Sequence, residues 1–307
     1  MAASFPVPTD DSHRVPAGHE LEELNRKTID ALGEIVSSLP DKWRMYDLAD
    51  SAGLRELYLQ RFYDECMLTN FPDKDELDPI EVWVEMFTPE YDTTVMHIIV
   101  VLTEDDRFAA GVVAEYYPKS QCGLLSYLLV QPEFRGPALG LVGKITPASS
   151  HIVDLSAQLR GVPHLKHYFC ETNNPLGVLE INDNMPPRRR VVLFHRLGFS
   201  LVNFPYVQYP LADDQSSVDF LLLMVYQRDP SAPQTVVESK TMRLWLDEFA
   251  LSTGVADGGD DFKKSLQWLD ENPFIPITSL LDWLNPRIPE IEAYNATPPP
   301  PPPPASL

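Results

Sequence analysis

A short turn between a strand-like run and a helix-like run carries residue types that suit phosphate binding. Leu124 to Val130 is an apolar run typical of a buried strand, and Pro132 ends it because proline has no N–H to donate. The small residues Gly136, Ala138 and Gly140 follow, and an apolar helical pattern begins beside them. N–H groups at a helix N-terminus lack partners and carry partial positive charge. The sequence therefore predicts a pyrophosphate-binding turn built mainly from main chain.

Composition limits the class of protein and of ligand. The chain has 307 residues, 44% of them apolar, and a formal net charge of -21. So acidic a chain is not expected to bind nucleic acid, and its field attracts cationic substrates such as amines. We expect no membrane span, because no run of about 18 apolar residues occurs.

The cysteines and histidines indicate a compartment and exclude a metal site. Cys66, Cys122 and Cys170 show neither CxxC spacing nor a disulfide framework, so we expect a reducing, cytoplasmic environment. His164 and His167 form an HxxH spacing without a supporting Cys or acidic cluster. This pattern is weak for zinc, and we predict no metal.

The order of predicted elements indicates an α+β domain over residues 19–230. Helical patterns occur first, at 19–39, 51–71 and 78–87. Short turns then link three strand patterns, which implies an antiparallel meander. The predicted strands and helices from there on are 94–102, 108–117, 124–130, 138–160 (helix), 167–172, 188–197 (helix), 202–209 and 218–227.

The two ends of the chain differ from this domain in composition. Residues 1–18 are rich in Pro, Asp and Ser and are expected to be disordered. Residues 231–290 predict a small helical extension, and its aromatic residues either pack back on the domain or form a homodimer contact. Residues 291–307 form a Pro-rich tail, in which seven prolines at 298–304 predict a polyproline II rod.

The turn and the element order together resemble the GNAT superfamily of acetyl-CoA-dependent N-acetyltransferases. Arg135 and Gly140 match the two ends of the family motif, and Ala138 stands where an inner Gly is usual. The segment Leu193 to Phe199 is similar to the family's last helix and its closing Gly-Phe. The resemblance covers about residues 45–228 and implies a GNAT-like mixed, mainly antiparallel sheet flanked by helices.

The resemblance also implies an activity and a binding site. The activity is transfer of acetyl from acetyl-CoA, the acyl donor, to an amine of a small molecule or protein within a ternary complex. The strand before the turn would offer main-chain groups to the thioester and pantetheine. The implied cofactor-binding residues are Leu128, Leu129, Val130, Arg135, Gly136, Pro137, Ala138, Leu139 and Gly140. The usual acid Tyr is replaced by Phe194, which has no proton to donate.

Two carboxylates and two tyrosines are candidates for the proton transfers. Burial in a strand raises a carboxyl pKa toward the working pH, so Glu171 is the first candidate base and Glu115 the second. Tyr127 and Tyr206 are candidate replacement acids. The alternatives are a solvated or ion-paired carboxylate in each case, and a packed aromatic with a satisfied hydroxyl.

A long polar segment follows Glu171 at the expected acceptor side. Long loops in compact domains often carry function, so Asn173, Asn174 and Asp183 are candidate acceptor-binding residues. The alternative is a capped surface loop.

A second function remains open on the sequence. Phe194 and Ala138 also fit a non-catalytic GNAT-like scaffold, in which the polyproline tail recruits a partner with an aromatic-lined groove. The tail is equally explained as an inert spacer.

Overall fold

The computed structural model describes residues 30, 32–33, 35, 37–71, 74–88, 91 and 93–296. The predicted disordered segment 1–18, most of the predicted helix 19–39 and the seven prolines lie outside the described residues. Among the described residues, no helix combines the length and the apolar character that a membrane crossing requires.

A nine-stranded sheet organises the described chain. In spatial order its strands are β1-β2-β3-β4-β5-β7-β6-β9-β8, and β4–β5 is its one parallel pair among the described residues. The strands are β1 (Arg44–Asp47), β2 (Val95–Leu102), β3 (Phe108–Tyr117), β4 (Cys122–Val130), β5 (Tyr168–Asn173), β6 (Phe199–Val202), β7 (Leu221–Tyr226), β8 (Val236–Glu238) and β9 (Phe274–Ser279). The predicted α+β class is confirmed, as is the antiparallel meander β2-β3-β4.

Helices cover both faces of the sheet. They are α1 (Ala52–Phe62), α2 (Ile80–Met86), α3 (Leu141–Leu159), α4 (Pro187–Arg196), α5 (Ser239–Thr253), α6 (Gly259–Glu271), α7 (Leu280–Leu284) and α8 (Ile288–Ala296). Helix α1 continues through one π-helical turn, Tyr63–Met67, to Asn70. Ser51 caps α1, because its hydroxyl accepts hydrogen bonds from the N–H groups of Gly53 and Leu54.

Strands β4 and β5 separate part of the way along their length. They pair only from Gly123 to Leu125, opposite Tyr168 to Cys170. A bulge in β4 lies just beyond this point, because Tyr127 and Leu125 face consecutive residues of β3 and Ser126 faces none. The strands therefore form a V-shaped opening that starts at Ser126 on one side and Glu171 on the other.

The predicted strand over 202–209 is wrong beyond Val202. The N–H of Phe204 bonds the carbonyl of Val202, and that of Tyr206 bonds the carbonyl of Phe204, each at 2.8 Å. These are tight turns around Pro205, which has no N–H for a ladder. Tyr206 consequently lies in a turn after β6 and not in a strand.

The segment after residue 230 contributes strands as well as helices. Strand β9 pairs with β6, so one sheet continues across the predicted boundary at residue 230. On α5, Trp245 is fully buried against Phe169 of β5, with ring centroids 4.6 Å apart. The aromatic residues of this segment thus pack back on the sheet, while the homodimer and the domain boundary stay predictions.

A buried polar chain joins β1, β2 and α3. His97 Nδ1 lies 2.6 Å from Asp47 Oδ2, and His97 Nε2 lies 2.7 Å from Ser156 Oγ. These are the residue types of a hydrolase triad, but Asp47 and Ser156 are 0% exposed and His97 is 3% exposed. With no access for a substrate, the three residues stabilise the packing of the sheet against α3.

Glu248 provides a test of how α5 is held. Its carboxylate accepts hydrogen bonds from the N–H groups of Lys119 and Ser120, at 2.7 and 2.6 Å, in the turn between β3 and β4. Glu248→Ala leaves these donors unsatisfied, and we expect the free energy of unfolding to fall by about 1–3 kcal/mol in denaturant titrations. Asp247→Ala, in the same helix but exposed, is the matched control. Equal losses for the two variants would contradict this role for Glu248.

Candidate active site

The turn predicted to bind phosphate is open to solvent and precedes α3. Residues 135–138 are exposed. Gly136 and Gly140 have φ angles of 138° and 58°, which favour glycine, and a Cβ at Gly136 would meet no atom within 4 Å. The turn therefore brings main chain to the surface with empty space in front of it.

Most N–H groups of this turn have no internal acceptor. The N–H of Arg135 bonds the carbonyl of Pro132, and that of Gly140 bonds the carbonyl of Gly136, each at 3.3 Å. Within the described residues, the N–H groups of Gly136, Ala138 and Leu139 donate to no carbonyl. The first turn of α3 adds further free donors, because Gly140 gives it no side-chain cap. Such a group of donors suits an anion.

The open edge of β4 offers main-chain groups at alternate residues. The N–H of Gln131 bonds the carbonyl of Ala109 in β3, so by antiparallel alternation Leu129 also pairs with β3. The main chain of Leu128 and Val130 therefore faces the opening. Three residues of this strand are predicted to contact pantetheine, and the main chain of two of them, Leu128 and Val130, points toward the opening. Leu129 instead pairs with β3 through its main chain and only lines the cleft between β4 and β5.

A cleft of about 170 Å³ fills the opening between β4 and β5. Leu128 and Val130 form one wall, and Leu193 and Phe194 of α4 form another. Phe194 packs edge-on against Phe199, with centroids 5.3 Å apart, so its ring belongs to the apolar wall. We call this the larger cleft.

A second, smaller cleft of about 30 Å³ adjoins the first and is strongly acidic. Its lining includes the carboxyl groups of Glu76, Asp78, Glu115 and Glu171, and among its described lining residues there is no Lys, Arg or His. Ser126 and Glu171 line both clefts. The two clefts therefore share lining residues at the point where β4 and β5 separate.

Glu171 is a base candidate by position and by pKa. Burial raises the pKa of its carboxyl to about 7, and the nearby carboxylate of Glu115 adds to the rise. A hydrogen bond from the hydroxyl of Tyr206 opposes it by stabilising the ionised form. A carboxyl group of this pKa can exchange protons near neutral pH.

Glu115 lies deeper than Glu171 and has a similar environment. Burial raises the pKa of its carboxyl to about 7, with a contribution from the charge of Asp78. Ser126 Oγ donates to Glu115 Oε1 at 2.7 Å, and the hydroxyl of Tyr117 donates to Oε2. The structure thus brings the two predicted carboxylates to one small cleft, where the charge of Glu115 raises the pKa of Glu171 further.

The two predicted tyrosine acids are buried and hydrogen-bonded to carboxylates. The hydroxyl of Tyr127 donates to Asp78 Oδ2 at 3.0 Å, and that of Tyr206 donates to Glu171. Burial and the adjacent carboxylates raise the pKa of both phenols well above its usual value. Each phenol therefore stabilises a carboxylate in this structure. These contacts match the alternative to a catalytic acid, which is a packed aromatic ring whose hydroxyl already has a hydrogen-bond partner.

The three predicted acceptor-binding residues hold the loop that follows β5. Asn173 Nδ2 donates to Asp183 Oδ2 at 2.8 Å, and Arg190 forms an ion pair with the other oxygen of Asp183. Asn174 Oδ1 accepts from the N–H of Leu176 at 3.0 Å. None of the three lines either cleft among the described lining residues, so an acceptor role for them stays a prediction.

Three residues that the sequence patterns missed also belong to this region. Ser126 and Asp78 line the smaller cleft. Asn70 lies at the larger cleft, where its Oδ1 accepts from Arg135 Nη2 at 3.2 Å and its carbonyl accepts from Asn184. The signal for Ser126 was weak but present, because it is the one polar side chain in the apolar run 124–130 apart from Tyr127.

The chain has similarity to solved structures but matches no known protein family. No protein-family model matches the chain, and no curated protein matches it. Among solved structures, a protein described as a GNAT-family acetyltransferase from Bacteroides thetaiotaomicron shares 19% identity over 60% of this chain and 86% of its own, with a TM-score of 0.39.

Two further structures that resemble this one were solved with coenzyme A. Spermidine N-acetyltransferase from Vibrio cholerae, with CoA and spermine, is 11% identical over 60% of this chain and 93% of its own (TM-score 0.32). The catalytic domain of a Tetrahymena histone acetyltransferase, with coenzyme A, is 12% identical over 62% and 94% (TM-score 0.30). At these identities and TM-scores the likenesses carry no argument about this chain, so the resemblance to GNAT proteins stays a prediction. The α+β fold class rests on the strand order and the opening described above.

The contact between Tyr206 and Glu171 yields a test that needs no substrate. Tyr206→Phe removes a donor to the ionised carboxylate, so we expect the apparent pKa of Glu171 to rise, as followed by carboxyl ¹³C shifts across a pH titration. Tyr209→Phe is the control, because that hydroxyl bonds the carbonyl of Val255 instead. An apparent pKa that stays the same in Tyr206→Phe would show that the hydrogen bond is not formed in solution.

Proposed function

We propose that this chain is an N-acetyltransferase that transfers acetyl directly from acetyl-CoA to a cationic amine in a ternary complex. The observation that carries the proposal is that Glu171 and Ser126 line two clefts at once, one suited to a thioester and pantetheine, the other to a cation. Direct transfer requires both substrates at one point, and these clefts share one.

The residues present fit acetyl-CoA as donor. The free N–H groups of Gly136, Ala138 and Leu139, with the N-terminus of α3, would bind the diphosphate. The main chain of Leu128 and Val130 would bind pantetheine and polarise the thioester carbonyl. The carbonyl of Val130 already accepts from Arg135 Nε at 2.8 Å, which links the strand to the turn.

The smaller cleft fits a positively charged acceptor. Its four carboxyl groups attract an ammonium group, and the chain's net charge of -21 adds a long-range field of the same sign. Glu171 would remove the proton that makes the amine unreactive. Since burial holds its pKa at about 7, Glu171 is ionised in a substantial fraction of molecules at neutral pH and still binds a proton well.

The free cysteines of this chain support the proposal that the protein acts in the cytoplasm. Cys66, Cys122 and Cys170 are free thiols and buried. A reducing compartment keeps such thiols unmodified.

Arg135→Glu tests the donor site. The substitution places a like charge beside the diphosphate and removes the bond to Val130, so we expect the Kd for acetyl-CoA, measured by calorimetry, to rise about tenfold or more. Arg196→Glu makes the same change in net charge at the exposed end of α4 and serves as control. An unchanged Kd in Arg135→Glu would remove the turn from the proposal.

Thermal melting separates an enzyme from a scaffold. A ligand at about 100 times its Kd stabilises the folded state by roughly 2.7 kcal/mol, so acetyl-CoA should raise Tm measurably. No shift at millimolar acetyl-CoA would favour the non-catalytic alternative, in which a partner binds the polyproline tail.

Glu171→Gln tests the base. We expect kcat for acetyl transfer to a diamine, followed by thiol release, to fall about 10²–10⁴-fold while the Kd for acetyl-CoA is retained. In the unsubstituted protein kcat/KM should rise as pH increases through about 7, because the ionised carboxylate is the active form. This rise should disappear in Glu171→Gln and persist in Glu180→Gln, an exposed carboxylate on the loop after β5. If kcat/KM of Glu171→Gln still rose with pH as in the unsubstituted protein, the base would be another residue.

A further inference from the structure

Ser126 occupies a position that the proposed reaction leaves without a role. It is the extra residue of the β4 bulge, so its side chain is not directed by cross-strand pairing. It is half-buried, and it lines the larger cleft and the smaller cleft alike. Its Oγ lies 2.7 Å from Glu115 Oε1.

Acetyl transfer also needs a proton at the sulfur that leaves. Phe194, in the cleft wall, has none to give, and the hydroxyls of Tyr127 and Tyr206 donate to Asp78 and Glu171. Among the described residues that line the larger cleft, Ser126 carries the one hydroxyl group. It is therefore the hydroxyl that contacts a buried acid and also lines the cleft proposed for the thioester.

We propose that Ser126 relays a proton from the carboxyl group of Glu115 to the departing thiolate of CoA. This inference rests on the proposed acetyltransferase function. As the C–S bond breaks, its electron pair goes to sulfur, which takes the hydroxyl proton of Ser126, while Ser126 takes the carboxyl proton of Glu115.

The protons balance over one turnover. The ammonium nitrogen loses two protons as the amide forms, and both leave through Glu171 to solvent. Glu115 has given one proton, through Ser126, to the thiol, and one proton from solvent replaces it at the smaller cleft. The net release is one proton, as conversion of an ammonium ion and a thioester to an amide and a thiol requires.

The carboxyl group of Glu115 is protonated in a substantial fraction of molecules near neutral pH, although the hydrogen bonds from Tyr117 and Ser126 favour its ionised form. Burial and neighbouring negative charge raise the pKa of its carboxyl to about 7. The titratable groups that interact with it come from several elements of the fold. They are Asp78, Tyr91, Tyr117, Tyr127, Tyr168 and Glu171. Glu171 must be ionised and Glu115 must be protonated for the reaction. The rise of activity with pH that Glu171 produces should therefore reach a maximum near pH 7 and turn into a decline above it.

Ser126→Ala is the decisive variant. We expect kcat to fall about 100-fold, the Kd for acetyl-CoA to change less than about twofold, and the alkaline decline of kcat to vanish. Ser126→Thr, which keeps a hydroxyl, should restore part of kcat and the alkaline decline. Ser200→Ala, on β6 and away from both clefts, should behave as the unsubstituted protein.

A double-substitution cycle links Ser126 to Glu115. Glu115→Gln should also remove the alkaline decline, and Ser126→Ala with Glu115→Gln should be no slower than the slower single variant, because the two residues act in one relay. Thermal melting of each variant reports whether it folds. If Glu115→Gln does not fold, the pH profile of Ser126→Ala alone tests the relay.

The outcomes distinguish this inference from the function on which it rests. If the unsubstituted protein neither binds acetyl-CoA nor releases thiol with any amine, both are overturned. If it does so, and Ser126→Ala retains kcat or loses it equally at every pH with the alkaline decline intact, the relay alone is overturned.

Discussion

The separation of β4 from β5 is the constraint on which the rest of the site depends. Parallel pairing ends at Leu125 of β4 and Cys170 of β5. The next residue is Ser126 on β4 and Glu171 on β5. Beyond that point the edge of β4 that faces β5 has no strand to pair with, although β4 stays paired with β3 on its other edge. Main-chain groups on the open edge would be costly to bury without a ligand or solvent. The opening therefore creates an unsatisfied edge, a cleft in front of it and a pair of polar side chains at its apex.

Burying several carboxyl groups beside this apex has a cost that the fold offsets with directed donors. Asp78 receives hydrogen bonds from Tyr127 and Trp83. Glu115 receives hydroxyl donors from Ser126 and Tyr117, and Glu171 receives one from Tyr206. These donors favour the ionised forms, but the pKa of each of the three carboxyls is raised, because burial outweighs the donors. At Glu115 and Glu171, repulsion by neighbouring carboxylates adds to this effect. A cation in the smaller cleft would relieve this repulsion, so the cleft favours a positively charged ligand.

The sequence predicts those parts of this arrangement that depend on local pattern. The meander, α3, α4 and the glycine turn follow from periodicity and small residues, and Glu171 and Glu115 stood out as acids in apolar strands. The bulge at Ser126 has no local signal, because it arises from pairing with β3. Strand β9 was missed because it contains Pro276 and joins β6 from far along the chain.

The segment after residue 230 shows why distant residues matter to the site. Trp245 stacks on Tyr206, with ring centroids 6.3 Å apart, and Tyr206 donates to Glu171. Phe249 of the same helix lines the smaller cleft, and Glu248 binds the turn that leads into β4. Helix α5 therefore closes the acidic cleft from behind and sets the position of a hydroxyl that tunes its carboxylate. A chain cut at residue 230 would lose these contacts along with the strand that covers the edge of β6, so the extension is a structural part of the site.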